Sequence, residues 1–140
     1  MKYFIVLFMV LLLLAFACEE KGTNPLEANY VIPDSNISYY DHLEPMFNGK
    51  CGLGTGCHYD RQDIIISDKN SFMNYMISDI GDRLVNLERW NNPIRQPLYL
   101  IVTEGYYDIE RMPPFWDSRE WLNKNQIDGI EQWIREGCND

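Results

Sequence analysis

Cys57 and His58 stand side by side, Cys51 precedes them, and Met112-Pro113-Pro114 follows far downstream. No other feature limits so strongly what this chain of 140 residues can fold around. Covalent attachment of a haem needs two thiols for its vinyl groups, and a histidine beside the second thiol can bind the iron from one face. A thioether arriving from a distant loop can close the other face, and His with Met is an axial pair used for electron transfer. The usual attachment motif is Cys-x-x-Cys-His, whereas here five residues, Gly52-Leu53-Gly54-Thr55-Gly56, separate the thiols. The glycines among them would allow the extra residues to bulge outward while both sulfurs reach the vinyls. A chain of this length buries a limited core, to which a large apolar ring at the centre would add.

Residues 1–17 read as a targeting segment. Lys2 supplies a positive start, and Phe4 to Ala17 is an unbroken apolar run, long enough for a signal core and short for a bilayer span. Its end, Leu14-Ala15-Phe16-Ala17-Cys18, resembles a bacterial lipoprotein signal. That resemblance implies cleavage before Cys18, lipidation of Cys18, and a mature chain held on the non-cytoplasmic side of a membrane in the cell envelope. An uncleaved anchor helix is the alternative, with the same placement. Residues 18–37 are polar and turn-rich and read as a flexible tether, leaving 38–140 as the domain. In an oxidising compartment thiols tend to be paired, lipidated or ligated. If Cys51 and Cys57 hold haem, Cys138 is left as a free thiol or a cross-link to another chain.

The formal net charge of -9, with no basic cluster, argues against nucleic-acid binding. Aromatic residues make up 14% of the chain. They suit a flat cofactor, an ordinary core or a glycan surface equally, so they decide nothing.

The periodicity predicts four short helices. Ser38 is a plausible N-cap for a helix through Phe47, with a kink at Pro45 and a stop at Asn48-Gly49 that delivers Cys51. Asp68 is placed to cap a second through Phe72, Tyr75 and Met76. A third starts near Pro97 and stops at Gly105. The fourth opens on a capping box from Asn123 to Gln126, carries Ile127, Ile130, Trp133 and Ile134 on one stripe, and ends at Gly137. Gly129 inside it either permits a close helix crossing or is a tolerated weak spot. Without an alternating strand pattern, the fold expected is all-α, with long loops. Met46, Met73 and Met76 are expected to pack in the core or against the cofactor.

Two segments resemble a known family. Leu43-Glu44-Pro45-Met46-Phe47-Asn48-Gly49-Lys50-Cys51 followed by Cys57-His58 is similar to the start of small bacterial cytochrome c domains. Arg111-Met112-Pro113-Pro114, then Leu122 and Gln126 through Gly137, resembles their closing segment. The likeness is nearest to the cytochrome c-like domains of planctomycetes and similar bacteria, and covers about residues 38–138. It implies a small cytochrome c-like domain whose last helix packs across its first. Carried over by position, it implies thioethers at Cys51 and Cys57, proximal ligation by His58 and distal ligation by Met112, with haem c as cofactor and a redox protein as partner. Pro113-Pro114 would stiffen the loop that carries Met112.

Other readings stay open. Cys51 and Cys57 can close a disulfide in a haem-free scaffold or binding lipoprotein of the same fold. A zinc module of Cys51, Cys57, His58 and His42 has acceptable ligand types, though its spacing matches no known finger. Met112 can be a core residue, and Arg111 either meets a haem propionate or is solvated. No acid–base pair in a recognisable arrangement marks a catalyst, so an electron carrier is expected rather than an enzyme.

Overall fold

A computed structural model describes residues 30–52, 58, 64–78, 80–114 and 120–140. The expected signal segment, Cys18 as the expected lipidation site, and Cys57 lie outside the described residues. The domain is mostly helical, with a small antiparallel ribbon that corrects the all-α expectation. Among the described residues no helix is long and apolar enough to cross a membrane.

The first helix, α1, is continuous through Tyr39–Leu43, Glu44–Phe47 and Asn48–Gly52, its two outer parts wound as π-helix. Ser38 caps it as expected: its hydroxyl accepts from the Asp41 N–H at 3.0 Å, and its own N–H donates to His42 Nδ1 at 2.9 Å. Pro45 has no N–H to offer the Asp41 carbonyl one turn back. The Tyr30 hydroxyl takes that role, donating to Asp41 O at 2.7 Å. The helix widens around the proline and does not stop at Asn48-Gly49. It runs on to Gly52, so Cys51 sits in its last turn.

Helix α2 spans Lys69–Met73, capped by Asp68, whose carboxylate accepts from the Ser71 N–H at 2.6 Å. It ends sooner than its apolar spacing suggested. The Asn74 side chain donates to Asn70 O at 2.9 Å, a local alternative to further helix. Tyr75 and Met76 therefore pass into the ribbon, where β1 (Met76–Ile77) pairs with β2 (Asp82–Arg83) around a left-handed Gly81. Two more backbone bonds, Leu84 N–H to Tyr75 O and Val85 N–H to Met73 O, lengthen the pairing.

Helix α3, Pro97–Thr103, starts on proline and stops at Gly105 (φ 97°), as expected. A side chain at 105 would come within 2.8 Å of Ile109 O, so this turn requires glycine. Buried Gln96 uses both ends of its amide on the Asn86 backbone, at 2.8 and 2.9 Å. It pins the ribbon's exit to the start of α3.

Helix α4, Lys124–Arg135, has the full capping box between Asn123 and Gln126. Ile130, Trp133 and Ile134 are fully buried. At its end the N–H of Gly137 bonds Ile134 O, and that of Cys138 bonds Trp133 O, a Schellman stop on a left-handed glycine. Cys138 is only 3% exposed, and burial pushes its thiol pKa up to about 12. At that exposure the thiol is enclosed by the domain's own core, which counts against a cross-link to another chain. Helices α1 and α4 meet through Tyr39 and Trp133, whose ring centroids are 5.6 Å apart. Phe72 packs on both Tyr39 and Phe47. Met46 and Met73 lie in this core, whereas Met76 is exposed.

Residues 30–37, read from composition as tether, belong to the packed domain. Ile32 and Ile37 are buried. Asn125 exchanges two hydrogen bonds with the Ile32 backbone, and the Glu136 carboxylate accepts from the N–H groups of Asn36 and Ile37. This segment also explains Gly129. A Cβ there would lie 2.6 Å from Ile32 Cγ2, so glycine admits the incoming chain rather than a crossing helix. Gly129→Ala gains about 1 kcal/mol of helix propensity but overpacks a buried contact, which costs about 1–3 kcal/mol. Urea unfolding is expected to show net destabilisation, and the penalty of Gly129→Ala should shrink in an Ile32→Ala background, which lacks both Cγ2 and Cδ1. A stabilised single variant would show that Ile32 gives way freely.

Candidate functional site

A cavity of about 220 Å³ lies between the end of α1, the 64–66 segment, the ribbon and α3. Its walls are mainly apolar, with Phe47, Ile66, Phe72, Leu98 and Ile101 among them. Three residues singled out from the sequence line this one cavity: Cys51, His58 and Met112.

Each arrives by a separate route. Cys51 comes on the last, widened turn of α1; such π-segments are frequent at functional sites. His58 is held to it directly, because its N–H donates to Cys51 O at 3.2 Å. That bond bears on the long spacing between the thiols. Whatever course the intervening residues take, the extra length does not carry His58 away from Cys51. Met112 is fixed to α3 by its own N–H, which donates to Ile101 O at 2.9 Å. Cys57, the second expected attachment thiol, lies outside the described residues.

His42 is placed elsewhere. Its Nδ1 accepts from the Ser38 N–H, and it does not line the cavity. Among the described residues no group of three or more His, Cys, Asp or Glu side chains could hold a metal ion. Arg111 is neither at the cavity wall nor simply solvated. Its Nε donates to Val102 O at 3.2 Å, and its guanidinium carbon lies 4.0 Å from the ring centroid of Trp121.

The cavity also uses residues that the sequence did not mark. Ile64 and Ile66 contribute alternate side chains of their β-branched run, while Ile65 between them is exposed. The Ile66 carbonyl takes the Tyr39 hydroxyl at 2.7 Å, and burial drives that phenol's pKa far upward. Tyr75 and Ser78 line it on the ribbon side. Their roles depend on the ribbon, whose strands are too short to give a period.

The donor set is a thiol, an imidazole and a thioether on a mainly apolar wall. Thiol, imidazole and thioether are ligand types that soft and borderline metals accept. Among the described residues no carboxylate and no second histidine lines the cavity. No protein-family model, no curated protein and no solved structure matches the chain.

Proposed function

We propose that the chain is a membrane-anchored c-type cytochrome, lipidated at Cys18 in the cell envelope, that passes electrons to and from a redox partner protein. The observation that carries this reading is the meeting of Cys51, His58 and Met112 at one mainly apolar cavity. In this reading Cys51 and Cys57 provide the two thioether sulfurs, His58 the proximal nitrogen and Met112 the distal sulfur. When bound, the haem supplies one-electron chemistry.

The chain's own residues do the rest. The apolar wall excludes water and lowers the local dielectric, which with axial-ligand identity sets the potential. A thioether from Met112 favours reduced iron and so raises that potential. The Ile101 carbonyl holds the Met112 backbone in place before any ligand bond forms.

At about 220 Å³ the cavity is smaller than the roughly 300–1,000 Å³ of common ligand pockets. A macrocycle would therefore part its walls, and loading would be coupled to folding, as it is at structural metal sites. The loaded chain is expected to unfold at higher urea than the unloaded one.

The deciding experiment is expression of the full chain in a periplasm with cytochrome c maturation, followed by a pyridine haemochrome spectrum on denatured protein. The expected result is a c-type signal that stays with the polypeptide. No signal, together with a mass two hydrogens below the reduced chain, would identify a haem-free scaffold with a Cys51–Cys57 disulfide.

A further inference from the structure

We infer that Lys50 and Trp121 form a clamp that positions Met112 at the cavity; the clamp's purpose rests on the haem reading, but its geometry does not. Lys50 immediately precedes Cys51 and is only 9% exposed. Burying an ammonium is costly unless it is hydrogen-bonded, so its acceptor is informative. Among the described residues that acceptor is a backbone carbonyl, Glu120 O at 3.2 Å, 70 residues along the chain. A lysine bound to main chain fixes where a segment runs, whatever side chains that segment carries.

Trp121 comes next. Its indole N–H donates to Pro113 O at 2.9 Å, and its ring lies under the Arg111 guanidinium at 4.0 Å. Arg111 and Pro113 are the two neighbours of Met112. Arg111 is in turn tied to Val102 O, and Met112 to Ile101 O, both on α3. Both neighbours of Met112 are thus tied to Trp121, while Arg111 and Met112 are fastened to α3 and Glu120 to the residue before Cys51. Trp121 remains 48% exposed, so filling the core does not account for its contacts.

An iron–thioether bond is weak, and a weak bond cannot order a loose loop without losing most of its strength to entropy. Ordering the loop in advance leaves that strength for ligation. Lys50 and Trp121 are not among the residues lining the cavity, and act as positioning residues for Met112.

The test uses the full chain expressed with cytochrome c maturation, in Lys50→Met and Trp121→Phe variants. The first removes the ammonium donor and keeps an apolar stem; the second keeps an aromatic ring and removes the N–H. Ile130→Val serves as a core truncation away from the loop. Amide hydrogen exchange at Met112, which needs no haem, is expected to speed up about tenfold in both clamp variants, equivalent to about 1.4 kcal/mol, and to stay unchanged in Ile130→Val. In haem-loaded protein, imidazole competing with Met112 for the iron is expected to bind about tenfold tighter in the same two variants. Unchanged Met112 exchange overturns the clamp whether or not haem is present, and so does equal acceleration in Ile130→Val. Accelerated exchange in protein that carries no covalent haem upholds the clamp and refutes the cytochrome reading instead.

Discussion

Trp133→Ala is expected to lower the unfolding free energy by about 3–5 kcal/mol. Trp133 is fully buried, and three separate connections converge on it. Its ring packs against Tyr39 at the start of α1. Its indole N–H donates to Asn139 O at 2.9 Å, and the Tyr39 N–H donates to the same oxygen at 3.2 Å. Its own carbonyl takes the Cys138 N–H that closes α4. Alanine would leave a cavity where α1, α4 and the C-terminal turn meet, and would strip one donor from a carbonyl that joins them. Domains of this size have about 5–15 kcal/mol to lose, so the variant should be substantially unfolded well below the parent's melting temperature. Urea denaturation with an unchanged slope would assign the loss to the native state. Trp90→Ala is the control: that ring is 54% exposed, and surface changes usually stay within about 0.5 kcal/mol. Equal midpoints for the two variants would show that Trp133 does not organise the core.

The parts of this fold that the sequence made legible are the ones governed by near neighbours. Helix α4 is readable because its capping box, apolar stripe and terminal glycine all act within a few residues. The same holds for Ser38 and Asp68 as caps and for Gly105 as the end of α3. Misreadings arose where a distant group settled a local choice. Pro45 and Asn48-Gly49 look like helix breakers, yet the Tyr30 hydroxyl donates to the Asp41 carbonyl one turn before the proline, and α1 runs on through Cys51. The polar composition of 18–37 obscured Ile32 and Ile37, whose partners lie about a hundred residues downstream on α4. The ribbon was missed because two-residue strands have no period and depend on pairing with one another. At the candidate site, the cavity residues Cys51, His58 and Met112 were legible as chemistry, since thiol, imidazole and thioether are rare and distinctive. Lys50 and Trp121 were not, because a side chain bound to a remote backbone carbonyl leaves no trace in spacing.

Met112→Ala is expected to separate attachment of the haem from its axial ligation. In the proposed cytochrome the thiols hold the macrocycle, so the variant should keep its covalent c-type signal after denaturation. Its low-spin His/Met spectrum should disappear, because alanine offers no sixth ligand and the site is then open to water or added imidazole. The potential should fall, since a thioether favours the reduced iron; a tenfold loss of that preference corresponds to about 59 mV for a one-electron couple. Stability is a weaker readout here, because Met112 is half-buried at the cavity wall and its backbone bond to Ile101 survives the substitution. His58→Ala should behave differently. Loss of the proximal nitrogen removes the ligand next to the attachment thiol, and loaded protein should then be hard to recover at all. A Met112→Ala protein with unchanged spectrum and potential would take Met112 out of the iron's coordination and return it to the core as ordinary packing. The same result alongside normal His58 dependence would leave a five-coordinate haem or a different distal group, and Tyr75 and Ser78 would be the first side chains to test because they already face the cavity.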